Sequence, residues 1–211
     1  MSSLDLSRPR RIHIVGIGGA GMSAIAVVLH AMGHGVTGSD LKQGAAVDRL
    51  RGLGISVAVG HDASHVGDAD AVAVSSAIPS SNPEIIEANR RQIAVYPRAE
   101  TLAAIAATRR CVAISGTHGK TTTSSMLSLI CVEAGLRPSF IIGGDVNQIG
   151  TNAVWENGEW LVVEADESDG TFLVLDPEIA LVTSVEPDHL DHYGSVDAME
   201  AAFGQFLARA P

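Results

Sequence analysis

The chain has 211 residues, is 46% hydrophobic and 18% charged, and carries a formal net charge of −10. These values describe a globular protein of one large or two small domains and exclude a disordered one. The acidic balance argues against nucleic acid or an anionic membrane as principal partner, so any polyphosphate must be held locally by backbone N–H groups, a lysine or a metal.

From the amino end, RIHIVGIGGAGMSAIAVVLHAMGHGVTGSD has the order of a βαβ unit: strand 11–15, turn 16–21, helix to about 32, strand 35–39. Ile12 to Ser39 contains no Asp, Glu, Lys or Arg, which imitates a signal peptide or a membrane span. Seven glycines and three histidines interrupt it, however, and four of those glycines fall within six residues. A continuous helix tolerates this badly, so no membrane insertion is expected. A short helix (44–52), a strand (55–59) and the apolar run DAVAVSSAI (70–78) continue the alternation. NPEIIEANRRQ reads as a helix with Pro83 in its first turn, and AVYP as a short strand.

RAETLAAIAATRR is an amphipathic helix suited to bridging two domains, expected at 1–108 and 109–211. A second alternation starts at Cys111: strand, glycine-rich turn, helix to about 134, then strands near SFIIGG, EWLVVEAD and EIALVTSV. The chain closes on the alanine-rich helix SVDAMEAAFGQFLARAP, and a sheet helix with no following strand points to a fragment. The expected fold class is α/β: a Rossmann-like parallel-sheet N-terminal domain, then a truncated P-loop α/β domain. The two cysteines, Cys111 and Cys131, sit in apolar contexts without metal-type spacing. They read as buried free thiols of a cytoplasmic protein.

Three motifs carry chemistry. Gly16, Gly18 and Gly21 match G-x-G-x-x-G between a strand and a helix, where backbone N–H groups can approach a pyrophosphate. Asp40 ends the next strand, where a ribose-binding acid belongs, so the local motif alone favours NAD. The second motif, GTHGKTTT, lacks the first glycine of the standard P-loop because Ile114 stands there. The shorter loop still forms an anion nest, with Lys120 reaching the outer phosphates and the Thr121 hydroxyl able to bind Mg²⁺. Lysine is rare in this chain, only Lys42 and Lys120 against twelve arginines, which makes a chance lysine here unattractive. The third motif is acidic. Glu164, with Asp166, Glu167 and Asp169 beyond it, and Asp188, His189, Asp191 and His192 follow predicted strands. Such clusters beside a triphosphate point to divalent metal sites, against the alternative of solvated loops. HLDH also approaches the metallo-hydrolase pattern H-x-H-x-D-H, but Pro187 occupies the first histidine's place.

In this order, HIVGIGGAGMSAIA, GHGVTGSD, SSAIP, GTHGKTTT, EADESD and PDHLDHYG resemble the Mur ligase family over nearly the whole chain, and its alanine-adding branch in particular. The resemblance implies that the first domain binds UDP-N-acetylmuramate, not NAD, with Gly18, Gly19, Ala20, Gly21, Asp40 and His61 lining the site. It implies that Gly116, Thr117, His118, Gly119, Lys120, Thr121 and Thr122 hold ATP, and that Thr121, Glu164 and His189 serve Mg²⁺. Lys120, Glu164 and His189 would carry catalysis, through an acyl phosphate opened by L-alanine, whose receiving domain is a third one absent here. The carbamylated lysine of several sister ligases has no counterpart, since no lysine follows Lys120. Two other classes compete. A nicotinamide-dependent oxidoreductase explains Gly16 to Asp40 but not Lys120, Glu164 or His189. A nucleotide-sensing module leaves the metal cluster unexplained.

Overall fold

The computed structural model describes residues 3–146 and 148–211. The chain divides into two compact units, Met1–Thr101 and Leu102–Pro211. The first contains β1 (Arg11–Val15), α1 (Ala20–Ala31), β2 (Gly35–Asp40), α2 (Ala45–Gly52), β3 (Ser56–Val59), β4 (Ala71–Val74), α3 (Pro83–Arg90) and β5 (Ala94–Pro97). The boundary falls within α4 (Arg98–Ala106).

All five strands are parallel, in the order β3-β2-β1-β4-β5. The central strand β1 has Ile12, Ile14 and Val15 almost fully buried, as a strand covered on both faces requires. The strand order reverses between β1 and β4, the place where open α/β sheets receive ligands at their carboxyl ends. Next to β1, a Cβ at Gly38 would lie 2.5 Å from Ile17 Cδ1 and 2.6 Å from Ile14 O, so β2 can pass there only as glycine. The apolar run 70–78 is strand only to Val74. Ser75 begins a turn in which the Ile78 N–H returns to Ser75 O at 3.1 Å. α3 starts as its sequence demands, with Pro83 in the first turn and the Asn82 side chain accepting from the Glu84 N–H.

The second unit holds β6 (Arg110–Ser115), α5 (Lys120–Glu133), β7 (Ser139–Val146), β8 (Thr151–Val154), β9 (Trp160–Glu164), β10 (Ile179–Val182), α6 (Leu190–Tyr193) and α7 (Val196–Leu207). Its sheet runs β10-β6-β9-β7-β8, parallel except for β8, which pairs antiparallel with β7. That edge strand escapes the sequence reading because four residues carry too little periodicity to register. Val112, Ile114, Phe140, Ile142, Val146 and Val162 form the core against α5. On the closing helix α7, Phe203 and Phe206 pack on Phe172 at ring-centroid distances of 5.2 and 5.3 Å. Cys111 is buried, which pushes its thiol up to about 12. Cys131 is only partly buried, a correction to its expected place in the core. No helix of the described residues is long and apolar enough to cross a membrane.

Candidate functional site

In the second unit the turn from β6 to α5 is shaped by two glycines in the left-handed region, Gly116 at φ +131° and Gly119 at φ +82°. A Cβ at Gly116 would stand 2.2 Å from Thr183 Oγ1 and 2.9 Å from the Ser184 backbone, so the segment after β10 closes on the loop too tightly for any side chain. Hydrogen bonds fasten that approach. The Thr117 N–H donates to Ser184 O at 3.0 Å and the His118 N–H to Ser184 Oγ at 3.1 Å. The Thr183 hydroxyl donates to His118 O at 2.5 Å, and the Glu186 N–H to Thr117 Oγ1 at 2.9 Å. Thr117 and His118 thus brace the loop through their backbones and the Thr117 hydroxyl, while the His118 ring is exposed.

Gly119 caps α5 without a side-chain hydrogen bond, so the first turn presents its N–H groups and the positive end of the helix dipole. Lys120 Nζ donates to Gly116 O at 2.6 Å and to Glu167 Oε1 at 2.7 Å, with Thr117 O at 3.4 Å. The Thr121 hydroxyl donates to Glu164 Oε1 at 3.1 Å, and the Gly143 N–H to Glu164 Oε2 at 2.9 Å. A Cβ at Gly143 would lie 2.7 Å from Glu164 Oε1, so β7 and β9 leave room for that carboxylate only beside a glycine. Thr122 is exposed on the same helical turn.

Glu167 was visible in the sequence only as one acid among four; the fold makes it Lys120's partner. It is 3% exposed, and its Oε2 finds no partner among the described residues. Thr121 Oγ1 and Glu164 Oε1, joined at 3.1 Å, are hard donors at a helix N-terminus. That set fits a Mg²⁺-type cation sharing its shell with phosphate and water. His189 is not joined to them. It sits at φ 50° before α6, with Nε2 3.7 Å from Asp188 Oδ2. No group of three or more metal-capable side chains is gathered among the described residues. Asp191 and His192 are exposed.

Concavity alone points elsewhere. An open cavity of about 940 Å³ lies at the amino ends of β6, β9 and β10, lined by Arg109, Arg110, Glu159 and Glu178 among others. Arg110 is engaged there by Glu178 at 2.5 Å and Glu159 at 3.7 Å, and the cavity lies at the sheet end opposite the glycine loop.

In the first unit the glycine loop is hung from β2. Ser39 O accepts from the Gly16 and Ile17 N–H groups at 2.9 and 3.0 Å. Asp40 Oδ2 accepts from the Gly18 N–H at 2.8 Å and Oδ1 from the Lys42 N–H at 3.2 Å, so the carboxylate holds the loop itself. Gly19 caps α1, Ala20 opens it, and a Cβ at Gly21 would meet Arg98 Nε at 2.6 Å. His61 follows β3, its Nδ1 3.1 Å from Ser39 Oγ and 3.3 Å from Glu84 Oε1. Ser39 and Glu84, neither among the candidate site residues of the sequence, therefore connect His61 to the loop.

A parallel sheet with a glycine-loop crossover, followed by a P-loop sheet with a hydroxyl–carboxylate pair, has the architecture of α/β nucleotide-binding folds. Residues 11–110 match the Mur ligase family, catalytic domain, and residues 114–211 the Mur ligase middle domain. The chain belongs to the Mur ligase family. It is 54% identical over 200 residues to the UDP-N-acetylmuramate–L-alanine ligase of Rhizobium meliloti (strain 1021), covering 95% of this chain and 42% of that protein. The same enzyme of Acidiphilium cryptum (strain JF-5) is also 54% identical over 200 residues, with the same coverage. The chain thus spans less than half the length of these relatives. Among solved structures it is similar to UDP-N-acetylmuramate-alanine ligase from Thermotoga maritima, with a TM-score of 0.88, 32% identity, and coverage of 95% of this chain and 47% of that one. It is equally similar in TM-score, 0.88, to UDP-N-acetylmuramate:L-alanyl-gamma-D-glutamyl-meso-diaminopimelate ligase from Neisseria meningitides, at 28% identity, covering 97% and 69%.

Proposed function

We propose that the whole protein joins L-alanine to UDP-N-acetylmuramate at the expense of ATP, in the cytoplasmic assembly of peptidoglycan precursors. The observation that carries this assignment is the Lys120 loop with the Thr121–Glu164 pair, in a chain 54% identical to enzymes of that name. Residues 1–108 form the UDP-sugar domain, with Gly18, Gly19, Ala20, Gly21, Asp40 and His61 about the pyrophosphate and nucleoside. Residues 109–211 form the ATP domain, with Gly116 to Thr122 around the phosphates.

The muramate carboxylate attacks the γ-phosphorus of ATP, forming an acyl phosphate as the bond to ADP breaks. The amine of L-alanine then attacks the acyl carbon, phosphate leaves, and the nitrogen loses a proton. Lys120 and the N–H groups of the loop neutralise the transferring phosphoryl group, whose charge is spread over its peripheral oxygens. Thr121 and Glu164 would hold Mg²⁺, and His189 would serve a second ion, with further charge neutralisation as the chemistry those ions would supply. Fold likeness is the same for the alanine and tripeptide ligases, so the choice between them rests on sequence identity to the alanine ligases. The test is phosphate release by the full-length enzyme with ATP, Mg²⁺ and UDP-N-acetylmuramate, supplied with either L-alanine or the tripeptide. Release dependent on L-alanine is expected; dependence on the tripeptide alone transfers the protein to the sister activity, and tight NAD binding in place of the UDP-sugar defeats both.

A further inference from the structure

One carboxylate lies wholly inside the first unit. Glu84, in the first turn of α3, has a side chain 0% exposed. Its Oε2 faces Ser39 Oγ at 2.6 Å and His13 Nε2 at 3.3 Å. Its Oε1 faces His65 Nδ1 at 3.1 Å, the Asp62 N–H at 3.2 Å and His61 Nδ1 at 3.3 Å. Burial pushes the carboxyl pKa up, but hydrogen bonds from His13, Ser39 and His65 outweigh it and hold it down at about 2. An ionised carboxylate accepts only, so each of the five groups donates.

This fixes the imidazoles. His13 carries its proton on Nε2, leaving Nδ1 to accept from the Thr37 hydroxyl at 2.9 Å. His61 carries its proton on Nδ1, shared between Glu84 Oε1 and Ser39 Oγ. In the neutral ring its Nε2 is then the acceptor nitrogen, and this buried atom finds no partner among the described residues. Ser39, held through its hydroxyl, is the same residue whose carbonyl suspends Gly16 and Ile17.

We propose that Glu84 is a positioning residue of the nucleotide-sugar site: it anchors Ser39 beneath the glycine loop and locks His61 in the Nδ1–H tautomer. This rests on the UDP-sugar assignment of the first unit. A packing role alone would not select one tautomer, nor distinguish one substrate from the other.

The test uses the full-length enzyme, labelled with ¹⁵N-histidine, and E84Q, whose amide keeps the shape but cannot accept five hydrogen bonds. Wild-type His61 is expected as the Nδ1–H tautomer, shifting toward Nε2–H in E84Q. Calorimetry is expected to show UDP-N-acetylmuramate bound about tenfold or more weakly by E84Q, with ATP affinity changed less than about twofold. S39A keeps the carboxylate and should reproduce the weaker binding should E84Q not fold. Wild-type His61 protonated on Nε2, or a variant that binds the UDP-sugar as the wild type does, overturns the inference alone. Failure of the wild type to bind UDP-N-acetylmuramate overturns the functional assignment and the inference with it.

Discussion

Lys120 Nζ lies 2.7 Å from Glu167 Oε1, with the two side chains only 17% and 4% exposed. The lysine that the sequence marks as the phosphate holder is therefore also half of a mostly buried ion pair. Removing one partner of such a pair strands the other charge, at about 3–5 kcal/mol. Lys120→Ala should lower the stability of the second unit by roughly 3 kcal/mol, while Lys120→Ala with Glu167→Gln should cost less than the sum of the two, with a coupling of about 1–3 kcal/mol. Urea denaturation of the four proteins measures this, and additive effects would dissolve the pair. In the full-length enzyme Lys120→Ala should also abolish ATP-dependent turnover while UDP-sugar binding persists.

Gly116 and Gly135 separate conformation from crowding. Both have positive φ, +131° and +74°, but a Cβ at Gly116 meets Thr183 and Ser184 whereas Gly135 faces open space. Gly135→Ala should cost about 1–2 kcal/mol, the left-handed penalty alone. Gly116→Ala adds overpacking of about 1–3 kcal/mol and should distort the loop as well. Equal melting temperatures for the two variants would contradict the close approach.

The Thr121–Glu164 pair predicts a metal linkage. Glu164→Gln retains an acceptor for the Thr121 hydroxyl but lowers the site's charge. The Mg²⁺ concentration giving half-maximal ATP turnover should rise about tenfold or more, with UDP-sugar affinity unmoved. An unchanged Mg²⁺ requirement would return Glu164 to a structural role at the end of β9.

Glu84 predicts an acid limit. Its pKa is lowered from 4.5 to about 2, so the folded unit keeps the carboxylate ionised where the unfolded chain protonates it. The unfolded state then binds the extra proton, and the stabilisation is complete above about pH 4.5 and lost as the pH falls toward 2. Glu84→Gln should remove close to one proton from the pH dependence of unfolding in that window. An unaltered slope, measured by denaturation at several pH values, would show that Glu84 is not held ionised.

The sequence by itself determined the alternation of strands and helices, the two glycine loops and the family. Those features are written in contiguous residues: Gly16 to Gly21 and Gly116 to Lys120 each occupy one turn, and β1 and β6 are short runs of apolar residues. The tertiary structure alone decided which partner each acid meets. Glu164 and Glu167 stand three residues apart with similar surroundings in the sequence, yet one meets Thr121, 43 positions away, and the other meets Lys120, 47 away. Glu84 read only as a helix start after Pro83, because its five donors come from β1, β2 and the segment after β3. A carboxylate's role is set by what surrounds it after burial, and chain folding, not local spacing, brings those donors to it.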